Sequence, residues 1–186
     1  TVSGGDKYGI HAFDLDQDGD MDLIDNSYTT SWWENTTTTA FDPSFYSVTI
    51  NSSLDGADAV HASDIDGDGD IDFLGSGDGG GGSLEWYRND GSESFTAYTI
   101  SSGIYRTALI IDLDQDGDKD VIAHSNSLLK WFSNNGSQSF TSNTVGAVSG
   151  GGSDDSNIYH ADLDRDGDID LLSVGQYVKW WENNGS

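Results

Sequence analysis

Twenty aspartates fall in four stretches of nine residues, and no other part of the chain is so dense in groups that can do chemistry. The stretches are Asp14 to Asp22 (DLDQDGDMD), Asp64 to Asp72 (DIDGDGDID), Asp112 to Asp120 (DLDQDGDKD) and Asp162 to Asp170 (DLDRDGDID). Carboxylates at alternate positions repel one another, and a hard cation with many oxygen ligands turns that repulsion into binding. The expected cation is calcium, one ion in each of the four loops; magnesium keeps its waters and takes few protein ligands, so it is the weaker candidate. In the first loop Asp14, Asp16, Asp18 and Asp22 are expected to give side-chain oxygens and Asp20 its backbone carbonyl, with Gly19 permitting the sharp turn. The equivalent sets are Asp64, Asp66, Asp68, Asp70 and Asp72; Asp112, Asp114, Asp116, Asp118 and Asp120; and Asp162, Asp164, Asp166, Asp168 and Asp170. An EF-hand begins in the same way but needs a Glu at position twelve and helices on either side. Position twelve here is Asp25, Gly75, Ala123 and Ser173, and the flanking residues read as strands, so that reading fails.

The charge of the whole chain follows from these loops. Of 186 residues, 33 are acidic and 7 basic, a formal net charge of -26, and the four loops with Lys119 and Arg165 account for -18 of it. Such a surface repels phosphate backbones and anionic lipid, which excludes nucleic acid as a partner and a basic membrane patch. No apolar run is long enough to span a bilayer, and membrane insertion is not expected. Residues 1 to 15 lack the basic-then-apolar layout of a signal peptide, so the chain reads as a mature form or a fragment. Cysteine is absent, so disulfides contribute nothing to the fold. Leu, Ile, Val and Phe together number 39, few for this charge, and the six Trp and eight Tyr must supply much of the buried area.

The elements that position the loops repeat with them. The loops start 50, 48 and 50 residues apart. A tryptophan, a second aromatic, any residue and an asparagine follow each one, as Trp32-Trp33-Glu34-Asn35, Trp86-Tyr87-Arg88-Asn89, Trp131-Phe132-Ser133-Asn134 and Trp180-Trp181-Glu182-Asn183. Six residues beyond that Asn stand Phe41, Phe95 and Phe140, leading into Thr49-Ile50, Thr99-Ile100 and Thr144-Val145. Between these landmarks lie short β-branched and apolar runs bounded by Gly, Asn, Asp and Ser, such as Tyr8 to Phe13, Met21 to Ile24, Ala108 to Ile111 and Val121 to Ala123. Nothing keeps a helical period. Adjacent aromatics on one strand point to opposite faces, so both faces of each small sheet need covering, and a period near 50 residues is the size of a propeller blade. The expected fold is an all-β propeller of four-stranded antiparallel blades over residues 8–50, 58–100, 106–145 and 157–186, forming one unit. Thr1-Val2, in phase with Thr49-Ile50, or a neighbouring chain would complete the last blade. The Gly-rich segments 75 to 82 and 149 to 152 read as loops.

The pattern Asp-x-Asp-x-Asp-Gly-Asp-x-Asp followed by an apolar strand resembles the FG-GAP and VCBS repeats found in integrin α heads, in propeller lectins and in many secreted bacterial proteins. The resemblance implies calcium in the loop between the first and second strands of each blade, and an extracellular or cell-surface location. Members of that family commonly have seven or eight blades against four here, which leaves a closed four-bladed ring, part of a larger ring, or a two-chain ring.

Three kinds of function fit the residues. A non-enzymatic binding or adhesion module would present a glycan or protein ligand site on the loops Ser3 to Lys7, Asn26 to Ser31, Asn51 to Asp58, Gly75 to Ser83, Ser101 to Arg106 and Gly146 to Asn157. A structural subunit of an adhesin, stalk or filament would self-associate through the open edge of its last blade. A polysaccharide-degrading enzyme is the third, and no nucleophile with a base stands out to support it. His11 and His61, three residues before their loops, read as structural or channel-lining, His124 and His160 have no repeated counterpart, and Asp154-Asp155 read as a solvated loop.

Overall fold

The structure is a computed structural model and describes residues 9–26, 29–37, 44–51, 59–77, 82–92, 94–125, 127–148, 157–174 and 176–185. None of these is helical. The first blade holds β1 (Gly9–Phe13), β2 (Asp22–Asn26), β3 (Thr30–Asn35) and β4 (Phe45–Asn51). The second holds β5 (Ala59–Ser63), β6 (Asp72–Gly77), β7 (Ser83–Asn89) and β8 (Phe95–Ser102). The third holds β9 (Tyr105–Ile111), β10 (Asp120–Ser125), β11 (Leu128–Asn134) and β12 (Phe140–Ala147). The fourth holds β13 (Asn157–Ala161), β14 (Asp170–Val174) and β15 (Val178–Trp181), so three strands are described where four were expected. In every sheet the strands pair antiparallel in chain order, the meander of a propeller blade. Each acidic loop joins the first strand of its blade to the second.

Blades stack in chain order, β1 against β5, β5 and β6 against β9, and β9 and β10 against β13. The core is accordingly three seams. Between blades one and two, Leu15, Ile24 and Trp32 meet Phe73 and Tyr87. Between two and three, Leu74, Leu84 and Trp86 meet Val121, Tyr105 and Phe132. Between three and four, Leu113, Ile122 and Leu129 meet Ile158 and Leu171. Strand alternation explains how one aromatic pair serves two seams: Trp86 faces forward and Tyr87 backward from the same strand. The next blade's outer strand caps each forward tryptophan edge-on, Phe95 on Trp32 and Phe140 on Trp86, both at 6.4 Å between centroids and 71° between planes.

The second aromatic varies together with the residue it reaches. Trp33 Nε1 donates to Asp25 Oδ2 at 2.6 Å and Trp181 Nε1 to Ser173 Oγ at 2.9 Å. In the middle blades the slot residue is Gly75 or Ala123, and the aromatic is Tyr87 or Phe132, neither of which carries an indole N–H.

Three sequence expectations change. Asn35 pairs with Phe45, as Asn89 does with Phe95 and Asn134 with Phe140, so Phe45 and not Phe41 is the third landmark of blade one; Phe41 lies outside the described residues. The first blade has simply lengthened the connection by four residues. Gly75 to Gly77 belong to β6 and are buried, because a strand between two neighbours has room for glycine and no need of an apolar side chain there. The loop expected from Ser101 to Arg106 shrinks to Gly103 and Ile104, and the one expected from Asn26 ends where β3 begins at Thr30. Thr1-Val2, Ser3 to Lys7, residues 52–58, 78–81 and 149–156 lie outside the described residues.

Candidate metal centres and the clefts beside them

All four acidic loops fold on the same internal bonds. The fifth Asp is the anchor: its Oδ2 accepts the N–H of the loop's second residue (Leu15, Ile65, Leu113, Leu163) at 3.0–3.1 Å, and its Oδ1 accepts the N–H of the landmark asparagine (Asn35, Asn89, Asn134, Asn183) at 2.7–2.9 Å. Asp22, Asp72, Asp120 and Asp170 are buried as a result. The first Asp takes the loop glycine's N–H on its Oδ2 at 3.1–3.2 Å. That turn uses two left-handed residues, Gln17 and Gly19 on either side of Asp18 at φ 60° and 96°, and their counterparts do the same.

These bonds aim the remaining oxygens inward. One oxygen from each of Asp14, Asp16 and Asp18 lies within 4.8 Å of the others, as do those of Asp64, Asp66 and Asp72, of Asp112, Asp114 and Asp120, and of Asp162, Asp164 and Asp166. Of the expected ligand sets, therefore, the first two Asp converge in every loop, joined by the third or the fifth. In blades two, three and four the fourth Asp lies against the turn that follows the landmark asparagine. A Cβ on Gly91 would sit 2.5 Å from Asp70 Oδ2, and one on Gly136 would sit 2.6 Å from Asp118 Oδ2, which explains the glycine two residues after Asn89 and Asn134. The side chains of Asp20, Asp70, Asp118 and Asp168 are absent from the convergent groups, in keeping with a role through the backbone carbonyl.

Two observations test whether a cation fits. Asp14 Oδ1 and Asp112 Oδ1 are buried and have no hydrogen-bond partner, and an anionic oxygen out of water without a donor is costly unless a cation meets it. Burial pushes Asp72 up to about 6 and also raises Asp120; Asp16 and Asp114 are raised by burial and by the carboxylates around them. Such crowding favours protonation in the absence of a positive charge and is relieved by a dication. The donor set, all oxygen and mostly carboxylate, suits a hard ion.

The asparagine was legible only as a landmark, and the structure gives it work. Its Nδ2 donates to the carbonyl before the fifth Asp and its Oδ1 accepts the N–H two residues on, at 3.1–3.3 Å in all four blades. Asn183 also reaches across the seam to Leu113 O at 3.1 Å. Loops bond to loops in the same way: Gln17 Nε2 donates to Gly69 O, and Gln115 Nε2 to Gly167 O, both at 2.9 Å. Blade two has Gly67 at that position, and Arg88 instead bonds Asp66 at 2.6 Å and Asp68 at 3.0 Å.

Beside the loops the seams open into clefts. One, of about 440 Å³, lies between Leu15, Asp16 and Trp32 of blade one and Asn89, Gly91 and Phe95 of blade two. The other, of about 250 Å³, lies between Leu113, Asp114 and Trp131 of blade three and Trp181, Asn183 and Gly185 of blade four. The two clefts share five positions of the repeat, Leu15, Asp16, Trp32, Asn89 and Gly91 in the first and Leu113, Asp114, Trp131, Asn183 and Gly185 in the second, and differ in the rest of their lining. They sit at the acidic-loop end of the blades; the loops at the other end, where ligand contacts were expected, lie largely outside the described residues. His11 and His61 lie on β1 and β5 with ring centroids 5.4 Å apart and their Nδ1 atoms buried without a partner. His124 is buried on β10.

Residues 112–173, which run from the third acidic loop into the second strand of blade four, match the family model described as an FG-GAP-like repeat. No curated protein matches the chain. Among solved structures the fold is similar to that of an Agrocybe aegerita lectin described by its specific recognition of non-reducing terminal N-acetylglucosamine, at a TM-score of 0.64 and 18% identity. That likeness covers 96% of this chain and 50% of the lectin, so this chain spans half the length of that one.

Proposed function

We propose that this chain is a calcium-loaded, non-catalytic glycan-binding module of the β-propeller type that works outside the cell or on its surface. The observation that carries the reading is the cleft between blades three and four, which brings together the part-exposed Trp131 and Trp181, Asp114 from the acidic loop and the Asn183-x-Gly185 turn of the next blade, with a second cleft at the first seam that shares five of its positions. A pyranose offers apolar C–H faces to an aromatic ring and hydroxyls to carboxylate, amide and backbone groups, and these clefts offer that mixture. The similarity in fold to a lectin supports the reading.

Calcium has two parts in it. Held by the first three Asp and the fifth Asp of each loop, with the backbone carbonyl of the fourth, it would neutralise charge that otherwise opposes folding. Asp16 and Asp114 belong both to a convergent oxygen group and to a cleft, so the ion would also fix the wall that a sugar meets. Sites of the affinity typical of extracellular modules fill at millimolar calcium and stay empty in cytosol, which is the reason for an extracellular assignment.

Titration of the calcium-loaded protein with N-acetylglucosamine and a panel of other monosaccharides, followed by tryptophan fluorescence and by amide NMR, tests the proposal. A saturable shift at Trp131 and Gly185 that vanishes with chelator is expected. A glycan array without signal at millimolar calcium, together with unmoved resonances at both clefts, would sink it.

A further inference from the structure

The residue at the fourth place of the acidic loops alternates along the chain: Gln17, Gly67, Gln115 and Arg165. All four adopt a left-handed backbone, at φ 60°, 75°, 60° and 67°, so the alternation is one of side chains on a common turn. The two glutamines bond in the same way. Gln17 Nε2 donates to Gly69 O at 2.9 Å and to Asp70 Oδ1 at 3.3 Å, and Gln115 Nε2 donates to Gly167 O at 2.9 Å and to Asp168 Oδ1 at 3.2 Å. Loop one is thereby clasped to loop two, and loop three to loop four. Among the described residues no side chain of loop two or loop three bonds the other loop. At that seam loop two is met instead by the turn of blade three, through Gln138 Nε2 to Asp66 Oδ2 at 3.3 Å and Asn134 Nδ2 to Ile65 O at 3.5 Å.

The first Asp alternates in step. In loops two and four its Oδ1 accepts the N–H of the fourth residue, Gly67 to Asp64 and Arg165 to Asp162, both at 2.7 Å. In loops one and three the same oxygen, on Asp14 and Asp112, is buried without a hydrogen-bond partner. The loops are thus of two kinds, one that reaches out through a glutamine and keeps a carboxylate oxygen for an ion, and one that is reached and already closed on its first Asp. The two clefts open at the seams so clasped, and Gln17 and Asp70 both line the first of them.

We propose that the calcium ions of the preceding reading, on which this depends, fill as two coupled pairs, loop one with two and loop three with four, and that Gln17 and Gln115 are the positioning residues that couple them. Gln17 stands between Asp16 and Asp18, two of the three residues whose oxygens converge in loop one, and Gln115 follows Asp114 of the convergent group in loop three. An ion drawn in by those oxygens fixes the backbone that aims the glutamine. The glutamine in turn holds the Gly69 carbonyl and the Asp70 carboxylate, beside the Asp70 carbonyl expected to meet the second ion. Ordering done for one ion is not repeated for the other, so each tightens its partner, and by the same factor in both directions. Each cleft has one wall on the first loop of a pair, at Asp16 or Asp114, and the facing turn, at Gly91 or Gly185, lies against the fourth Asp of the second loop. Paired filling therefore sets both walls of a cleft at one calcium concentration.

Calcium titration followed by NMR at the loop glycine amides, Gly19, Gly69, Gly117 and Gly167, reads the four sites separately, and circular dichroism at saturating calcium checks that each variant folds. Asp16→Asn takes a charge from loop one and keeps an acceptor for the Asp18 N–H. It is expected to raise the calcium midpoint at Gly69 about five-fold and to leave those at Gly117 and Gly167 in place. In a Gln17→Gly background, where glycine keeps the left-handed turn, the same substitution should no longer move Gly69. Asp114→Asn and Gln115→Gly give the matching cycle on Gly167. The pairing is overturned by a Gly69 midpoint that ignores Asp16→Asn, by one that moves equally with Gly117 as coupling through folding alone demands, or by one that still moves without Gln17. Amides that respond with independent midpoints remove the pairs and leave calcium binding standing, whereas amides blind to calcium remove both.

Discussion

Blades two and four carry nearly the same nine-residue loop, DIDGDGDID against DLDRDGDID, and the loops adopt the same internal bonds. The N–H of Ile65 meets Asp72, and that of Leu163 meets Asp170, at 3.0 Å in each case. Their surroundings differ. Blade two is covered on both faces, so Ile65 and Trp86 are buried, while Leu163 and Trp180 on the uncovered face of blade four are not. Burial pushes Asp72 up to about 6; at Asp170 burial acts in the same direction but the N–H bonds from Asn183 and Leu163 outweigh it and hold the carboxyl below its ordinary value. Arg88 places a positive charge on Asp66 and Asp68, where blade four has the exposed Glu182. The nine residues thus set the shape of a loop, and the flanking blades set how strongly that loop is held and how it responds to charge.

The largest test of this contrast is calcium removal. If free calcium stands about 100-fold above each dissociation constant, each site adds about 2.7 kcal/mol, and four sites add about 11 kcal/mol, as much as a domain's whole stability. Excess chelator is expected to abolish cooperative melting. In a graded titration, amide exchange at Leu171 to Ser173 should rise at a higher free calcium than at Phe73 to Gly75, because only blade two keeps neighbours on both sides and a protein cation on its loop. An unchanged melting temperature, or simultaneous exchange in both blades, would erase the distinction.

Deleting the equivalent tryptophans probes the same contrast without metal chemistry. Trp86→Ala empties a seam and is expected to cost about 3–5 kcal/mol. Trp180→Ala should cost under about 1 kcal/mol. Chemical denaturation of both variants at saturating calcium gives the two values, and similar costs would show that the end face of blade four is covered in the single chain.

Much of this was legible before the structure, and the reasons can be traced residue by residue. Repetition marked the loops and the first two Asp of each, although the same spacing brings in the third Asp in two loops and the fifth in the other two, and the strand order followed from landmarks that recur. Phe41 misled because a six-residue offset from the asparagine was preferred to the four-residue offset before threonine; Phe95 to Thr99 and Phe140 to Thr144 keep the latter, and it selects Phe45. The partnership of Trp33 with Asp25 and Trp181 with Ser173 was present as covariation between two columns of the repeat. The clefts were not legible, since they arise where two blades meet, and no single repeat contains both walls. Nor was the uncovered face of blade four, because Leu163 and Ile65 look alike until a neighbour is placed beside one of them.

Acid should act on blade two through a residue that blade four lacks. His61 occupies the position of Tyr159, and burial, aided by His11 and His160, holds its pKa down to about 4. The folded value lies below the unfolded one near 6.5, so the stability tied to the neutral ring is complete above about pH 6.5 and is lost as pH falls toward 4, on the order of 3 kcal/mol. His61→Leu, which copies Leu109 of blade three, should remove this dependence. Denaturant midpoints of both proteins at pH 7.5 and 4.5 isolate the effect, since the carboxylates are common to the two; parallel losses would assign the acid sensitivity to the loops instead.

The smallest effect concerns the residue between the aromatic pair and the asparagine. Arg88 in blade two bonds two of the carboxylates that would hold the ion, so a dication at that site meets a resident positive charge, whereas Glu182 in blade four adds a negative one. Arg88→Ser, the residue of blade three, should tighten the second site roughly three-fold, and Glu182→Arg should loosen the fourth by a similar factor, the modest size reflecting the solvent around the side chains at 88 and 182. Calorimetric calcium titration with added salt sharpens the reading, because screening should shrink both changes. If Arg88→Ser weakens binding instead, the guanidinium is holding Asp66 and Asp68 in the geometry that the ion needs, and positioning outweighs repulsion at that loop.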